Sequence, residues 1–162
     1  MTIVSNTSPI INLAAINQLI LLQTLFDHIV IPQAVYDEIA VTGAGEPGAR
    51  EVQEFDWISA YKVSNRPLVD SLAIELDAGE AEAIACAIEL KANRLLIDEQ
   101  RGRTIARRLG LSVIGIIGVL IEAKRQGFVM HVKPELDALI AQAGFWIDRA
   151  LYQQILRHAG EE

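Results

Sequence analysis

One cysteine in 162 residues, Cys86, leaves no partner for an internal disulfide, and three scattered histidines with one thiol form no zinc-ligand spacing. A reducing cytoplasm is the expected setting. The amino terminus has no basic n-region or cleavage site, and no apolar run nears the ~20 residues that cross a bilayer, so a soluble, unprocessed chain is expected. Cations are scarce as well. Fourteen Lys and Arg against 21 Asp and Glu give a formal net charge of −7, which excludes a broad basic face and confines any nucleic-acid site to a local patch. Gly43, Gly45 and Gly48 satisfy G-x-G-x-x-G but follow a helical pattern, and no Lys-Ser or Lys-Thr pair follows the Gly115–Gly118 segment to make a P-loop. Those last glycines read as close-packing residues. Ser5, Ser8 and the histidines lack a nucleophile-elbow context. Trp57 and Trp146 read as core or interface anchors rather than stacking platforms.

What is present is apolar residue, 51% of the chain. That suits one domain over residues 1–162, burying roughly 70% of the surface of its unfolded form. Thr2 to Ser5 reads as a strand, followed by a turn in which Ser8 caps a helix starting at Pro9. An amphipathic segment, Leu19 to Phe26, precedes the strand Ile29-Val30-Ile31, which Pro32 ends ahead of a helix through Ile39. After a glycine-rich break and a polar helix comes the strand Trp57 to Tyr61. Alternation then continues: helix Ala78 to Leu90, strand Leu95 to Ile97, helix to Leu109, strand Leu111 to Ile114, helix to Gln126. The tail from Pro134 to His158 reads as wholly helical, divided at Gly144. Short apolar strands alternating with helices predict an α/β fold of three layers, α/β/α, around a parallel sheet.

Ligands of such sheets gather beyond the carboxyl ends of the strands, where Asn6 and Asp98 fall. Each has an ordinary alternative, a turn residue for Asn6 and a helix N-cap for Asp98, and Glu99 beside it is ambiguous. At 100° per residue Glu80 shares a face with Ile84, Ala87 and Ile88, whereas Glu82 falls beside Glu89 and is expected to face water. The competing role for Glu80 is a capping box with Asp77. Glu38 flanks an apolar stripe and is either a site residue or a solvated edge. If Glu38, Glu80 and Asp98 converge, their repulsion calls for a hard cation such as Mg²⁺ or Mn²⁺, which can activate water against a phosphodiester. Arg101, Arg103, Arg107 and Arg108 are the densest positive stretch; Arg101, Arg103 and Arg108 are the candidates for gripping RNA phosphates, against the alternative of a solvated basic helix.

Val4-Ser5-Asn6-Thr7-Ser8-Pro9-Ile10, Ile31-Pro32 through Glu38, Gly79 to Ile84, Leu95 through Arg103 and Gly144 to Ile147 together resemble the PIN-like toxin nucleases, the VapC-like proteins of bacterial toxin–antitoxin pairs. The resemblance spans nearly the whole chain. It implies a metal-dependent ribonuclease with its first acidic position at Asn6, then Glu38, Glu80 and Asp98, a cognate antitoxin as partner, and a homodimer. Where the family usually has an aspartate, Asn6 supplies a neutral and weaker ligand that Glu99 or Glu82 would offset. A catalytically degenerate binding or regulatory module is the alternative, and a small-molecule binder with a deep apolar pocket is the third reading.

Overall fold

The computed structural model describes all residues, 1–162. Its strands are β1 (Ile3–Ser5), β2 (Ile29–Pro32), β3 (Ile58–Tyr61), β4 (Arg94–Leu96) and β5 (Val113–Ile114), every neighbouring pair parallel, in the order β3-β2-β1-β4-β5. The side-chain period of two divides them between two cores. Ile3, Ile29, Ile31, Leu96 and Ile114 point to one face; Val4, Val30, Leu95, Ile97 and Val113 point to the other. Both faces are therefore covered, as a parallel sheet with continuous apolar strands requires.

The first face is packed by α1 (Thr7–Ala15) and α2 (Ile20–Phe26), and later by α8 (Ile116–Arg125), α9 (Val132–Gln142) and α10 (Arg149–His158). Beyond β2, a short α3 (Gln33–Tyr36) runs into a π-helical turn, Asp37–Thr42, followed by α4 (Ala49–Glu54). The chain then reverses direction across the sheet. Keeping one crossover hand while reversing direction moves the helices to the opposite face. There lie α5 (Arg66–Leu72), α6 (Ala78–Glu89) and α7 (Gln100–Arg108). Helix α6 is buried from Gly79 through Ala87, because alanines and Cys86 let it sit close against β1, β2 and β4. Each fully buried Ile or Leu contributes about 1.5–3 kcal/mol by area.

Several local expectations need correction. Helix α1 starts at Thr7, not Pro9, and Asn6 rather than Ser8 is its N-cap. Pro9 is tolerated in the first turn because its missing N–H has no helical partner there. The strand expected from Leu111 shortens to Val113–Ile114. Helix α5 carries no apolar periodicity strong enough to predict; Asn65 caps it through Leu68 N at 3.2 Å. Residues 143–148 are not helical. Gly144 at φ +70° turns the chain so that Phe145 N donates to Leu139 O at 3.0 Å, a left-handed closure that stops α9.

Candidate functional site

The sheet order reverses between β1 and β4, so the crevice beyond their carboxyl ends is the switch point. Asn6 follows β1 directly, and its N–H donates to Leu96 O at 2.9 Å, which fixes it beside the end of β4. Its side chain makes no cap bond to α1. The residue is 4% exposed at the head of the site. On β4 the chain continues through Ile97 to Asp98.

Three glycines in or just before the first turns of helices set the distances. A Cβ on Gly79, in α6, would lie 2.9 Å from Glu38 Oε2 and 3.5 Å from both Asn6 Oδ1 and Thr7 Oγ1. Those three oxygens therefore surround the bare α6 backbone, and Thr7 Oγ1 donates to Glu38 Oε2 at 3.0 Å. A Cβ on Gly102, in α7, would stand 3.1 Å from Glu80 Oε2 and 2.6 Å from Ile97 Cδ1. One on Gly115, the N-cap of α8, would collide with Arg103 Nη1 at 2.6 Å and Asp98 Oδ1 at 2.8 Å. Glycine is required here for close approach rather than for a special φ.

Asp98 does not cap its own helix; Glu99 stands at that position, without a side-chain cap bond. Instead Asp98 Oδ1 accepts from Ile116 N at 2.8 Å, at the positive end of α8. Its other oxygen, Oδ2, is the one buried side-chain polar atom with no hydrogen-bond partner. Burial pushes the Asp98 carboxyl above its usual range, opposed by the Ile116 amide and the charge of Arg103. Arg103 is held by Ile97 O at 3.0 Å and half desolvated, which depresses its guanidinium, with Arg107 adding to the effect. It remains a cation at neutral pH.

Glu80 faces inward, as the helical phase predicts. Asp77 Oδ1 accepts its N–H at 2.8 Å, yet the Glu80 side chain makes no return bond to Asp77 N, so half of the capping box forms. The Glu80 carboxyl is pushed up to about 8, first by burial, then by the adjoining Asp77 carboxylate and the charges of Glu99 and Glu38. Glu82 is a correction. It is 8% exposed rather than facing water, accepting from Ala34 N and from Arg66 Nη1, each at 3.0 Å. A helix buried on nearly every side has no water-facing phase to assign, and Glu82 is consumed as a cap for the short α3. It is spoken for and does not offset Asn6.

Glu38 and Glu99 are exposed at the rim. Arg101 reaches Glu75 at 3.8 Å, exposed. Arg108 lies in the last turn of α7, roughly 12 Å of helix beyond Gln100 at 1.5 Å per residue, toward the far end of the sheet. A cleft of about 790 Å³ opens beside Asp98, Glu99 and Arg103 and is lined also by Phe145, Trp146 and Ile147. Trp57 is buried, as expected of an anchor, but Trp146 is 81% exposed. Thr7, Gly79, Gly102 and Gly115 were not legible as site residues from residue type alone; the signal was their position immediately after a strand or at a helix start.

The PIN-domain family model matches residues 2–161. The chain belongs to the PIN-domain family. PIN domains are generally nucleases and typically use divalent metals, and the parallel α/β/α architecture agrees with that membership. No curated protein matches the chain. The site tests the family's metal on its own terms. No three His, Cys, Asp or Glu side chains stand close enough together to hold an ion. The donors are nevertheless all hard oxygens, one of them the unpartnered Asp98 Oδ2, and Mg²⁺ is commonly held through one or two carboxylates with water completing its shell. What suits a hard cation here is the donor chemistry, not a converged set of three acids.

Proposed function

We propose that this PIN domain is a metal-dependent endoribonuclease that hydrolyses RNA phosphodiester bonds. One observation carries the reading: Asp98, at the switch point of a parallel sheet, is half-buried, with one oxygen tied to Ile116 N and the other buried without a partner. An unpaired buried carboxylate oxygen is costly, and the neighbouring Glu99 carboxylate adds to that cost unless a cation is taken up. Asn6, Glu38, Glu80 and Asp98, with Glu99 at the rim, would hold Mg²⁺ or Mn²⁺. Such an ion supplies Lewis acidity toward the phosphodiester and toward water at neutral pH.

The chain's own residues do the rest. Without the ion Glu80 holds a proton near neutral pH, and the ion would displace that proton on binding. Thr7 fixes the Glu38 carboxylate through Oε2. Arg103, braced by Ile97 O and lining the cleft, presents a cation to a phosphate, while Arg101 and Arg108 offer outer, exposed contacts along α7. We extend the proposal to a VapC-like toxin of a type II pair, silenced by an antitoxin that puts a basic side chain into the acidic cleft. The resemblance supports this. A homodimer belongs to the same reading and rests on the resemblance alone.

A second reading, a PIN module that binds without hydrolysis, is favoured by the neutral Asn6 and by the absence of three converging acids. Cleavage of RNA in Mn²⁺ separates the two. The nuclease reading expects activity that is lost on chelation and in Asp98→Asn and Glu80→Gln. Cleavage indifferent to metal and to both substitutions rejects it, and absent cleavage favours the binding module.

A further inference from the structure

Part of the lining of the Asp98 cleft belongs to the connection between α9 and α10, a segment with no part in the metal site. Both of its ends are pinned. Gly144 and the Phe145 N to Leu139 O bond close α9, and Asp148 Oδ1, accepting from Leu151 N at 2.7 Å, starts α10. Between these anchors Trp146 stands 81% exposed on the lip of the cleft, while its neighbours Phe145 and Ile147 pack inward. A lone exposed apolar side chain is ordinary on a protein surface. An indole on a braced segment, lining the same cleft as the Asp98 carboxylate and the fixed Arg103 guanidinium, is a different arrangement: part of the lining suits phosphate and part suits a flat π-face.

We propose that Trp146 is a base-stacking residue that takes an unpaired nucleobase next to the phosphate lying against Arg103. The idea rests on the ribonuclease reading for what the cleft is for, and it narrows the substrate class to single-stranded RNA. Only unpaired nucleotides expose a face to the indole, and stacking gives affinity without sequence readout. It also accounts for how an acidic protein with few cations holds a polyanion, by placing part of the affinity on bases rather than phosphates. Because both ends of the segment are already fixed, little ordering is left to oppose the stack.

The chain reports on itself, since Trp57 and Trp146 are its two tryptophans and Trp57 is buried. A twelve-nucleotide oligouridine titrated into the full chain, with Ca²⁺ in place of Mn²⁺, should quench tryptophan fluorescence saturably. A duplex of the same length should not. The quenching should vanish in Trp146→Phe, an exposed substitution that leaves folding intact, and persist in Trp57→Phe. By anisotropy of a labelled oligonucleotide, Trp146→Ala should weaken binding by about tenfold, with Trp146→Phe restoring most of it. Binding with equal affinity in wild type and Trp146→Ala, or no response to RNA, overturns the proposal; the second outcome would point instead to a protein partner at this wall. The two readings fail separately. Mn²⁺-dependent cleavage with an unquenched Trp146 leaves the nuclease and removes the stack, whereas quenching without cleavage in any metal does the reverse.

Discussion

Glu80 and Glu82 stand two residues apart on one helix and are equally buried, 8% exposed each, yet the regions they serve are opposites. Around Glu82 every demand is met: Ala34 N donates to one oxygen and Arg66 to the other, joining α3, α5 and α6. Around Glu80 the neighbours are Asp77, Glu99 and Glu38, all acids, and its carboxyl rises to about 8. Burial therefore does not separate a structural carboxylate from a functional one; the sign of its neighbours does. Asp98 repeats the lesson within one side chain, with Oδ1 satisfied by a helix terminus and Oδ2 by nothing.

The comparison can be broken or sharpened by substitution. The largest effect should come from Asp98→Asn, which keeps an oxygen for Ile116 N but discards the charge. Cleavage in Mn²⁺ should fall by at least about 100-fold while the thermal midpoint stays near wild type. Gly115→Ala should come next. Its methyl would stand where Arg103 Nη1 and Asp98 Oδ1 now lie, so displacing them should lower cleavage by up to roughly 10²-fold and stability by about 1–3 kcal/mol, read from urea unfolding. Glu82→Ala should reverse that pattern. Stability should drop by about 1–3 kcal/mol through the stranded Ala34 N–H, with turnover per folded molecule unchanged. Arg66 is half exposed and rehydrates, so its ion pair adds little to the loss. Equal damage to activity in Glu82→Ala would erase the distinction between the two glutamates.

Smaller effects follow from protonation and from Asn6. The Glu80 carboxyl has its pKa raised from 4.5 to about 8 on folding. The folded state therefore binds the proton more tightly, so the contribution is fully present below pH 4.5 and is lost as pH rises to 8. Glu80→Gln should flatten that slope between pH 4.5 and 8 in metal-free buffer, measured by urea midpoints. In wild type, Mn²⁺ should raise the melting temperature more at pH 8 than at pH 5, because the ion must displace the proton at the lower pH. The smallest change should be Asn6→Asp, a gain of several-fold in Mn²⁺ affinity from one added hard charge.

The sheet, its parallel sense and the helix alternation were legible because β-branched strands and amphipathic helices carry their periods in the residues. The places of Asn6 and Asp98 were legible for a related reason: Asn6 directly follows β1 and Asp98 comes two residues after β4, at the sheet end where such folds put ligands. Glu82 was not, since helical phase assumes one wet side and α6 has almost none. Asp98's bond to α8 joins residues 18 apart, and Trp146's place on the cleft depends on where α9 stops. Both are tertiary facts that no local pattern encodes. Arg103 shows the same limit, its cation turned back onto Ile97 O where a basic helix alone suggests an outward grip.

Calorimetric titration of Mn²⁺ into wild type and Asp98→Asn tests the central claim most directly. Saturable binding by the wild type, weakened at least about tenfold in a variant that melts normally, is the predicted result. Equal binding by both proteins, or none by the wild type, would contradict a cation site built on that unpartnered carboxylate oxygen.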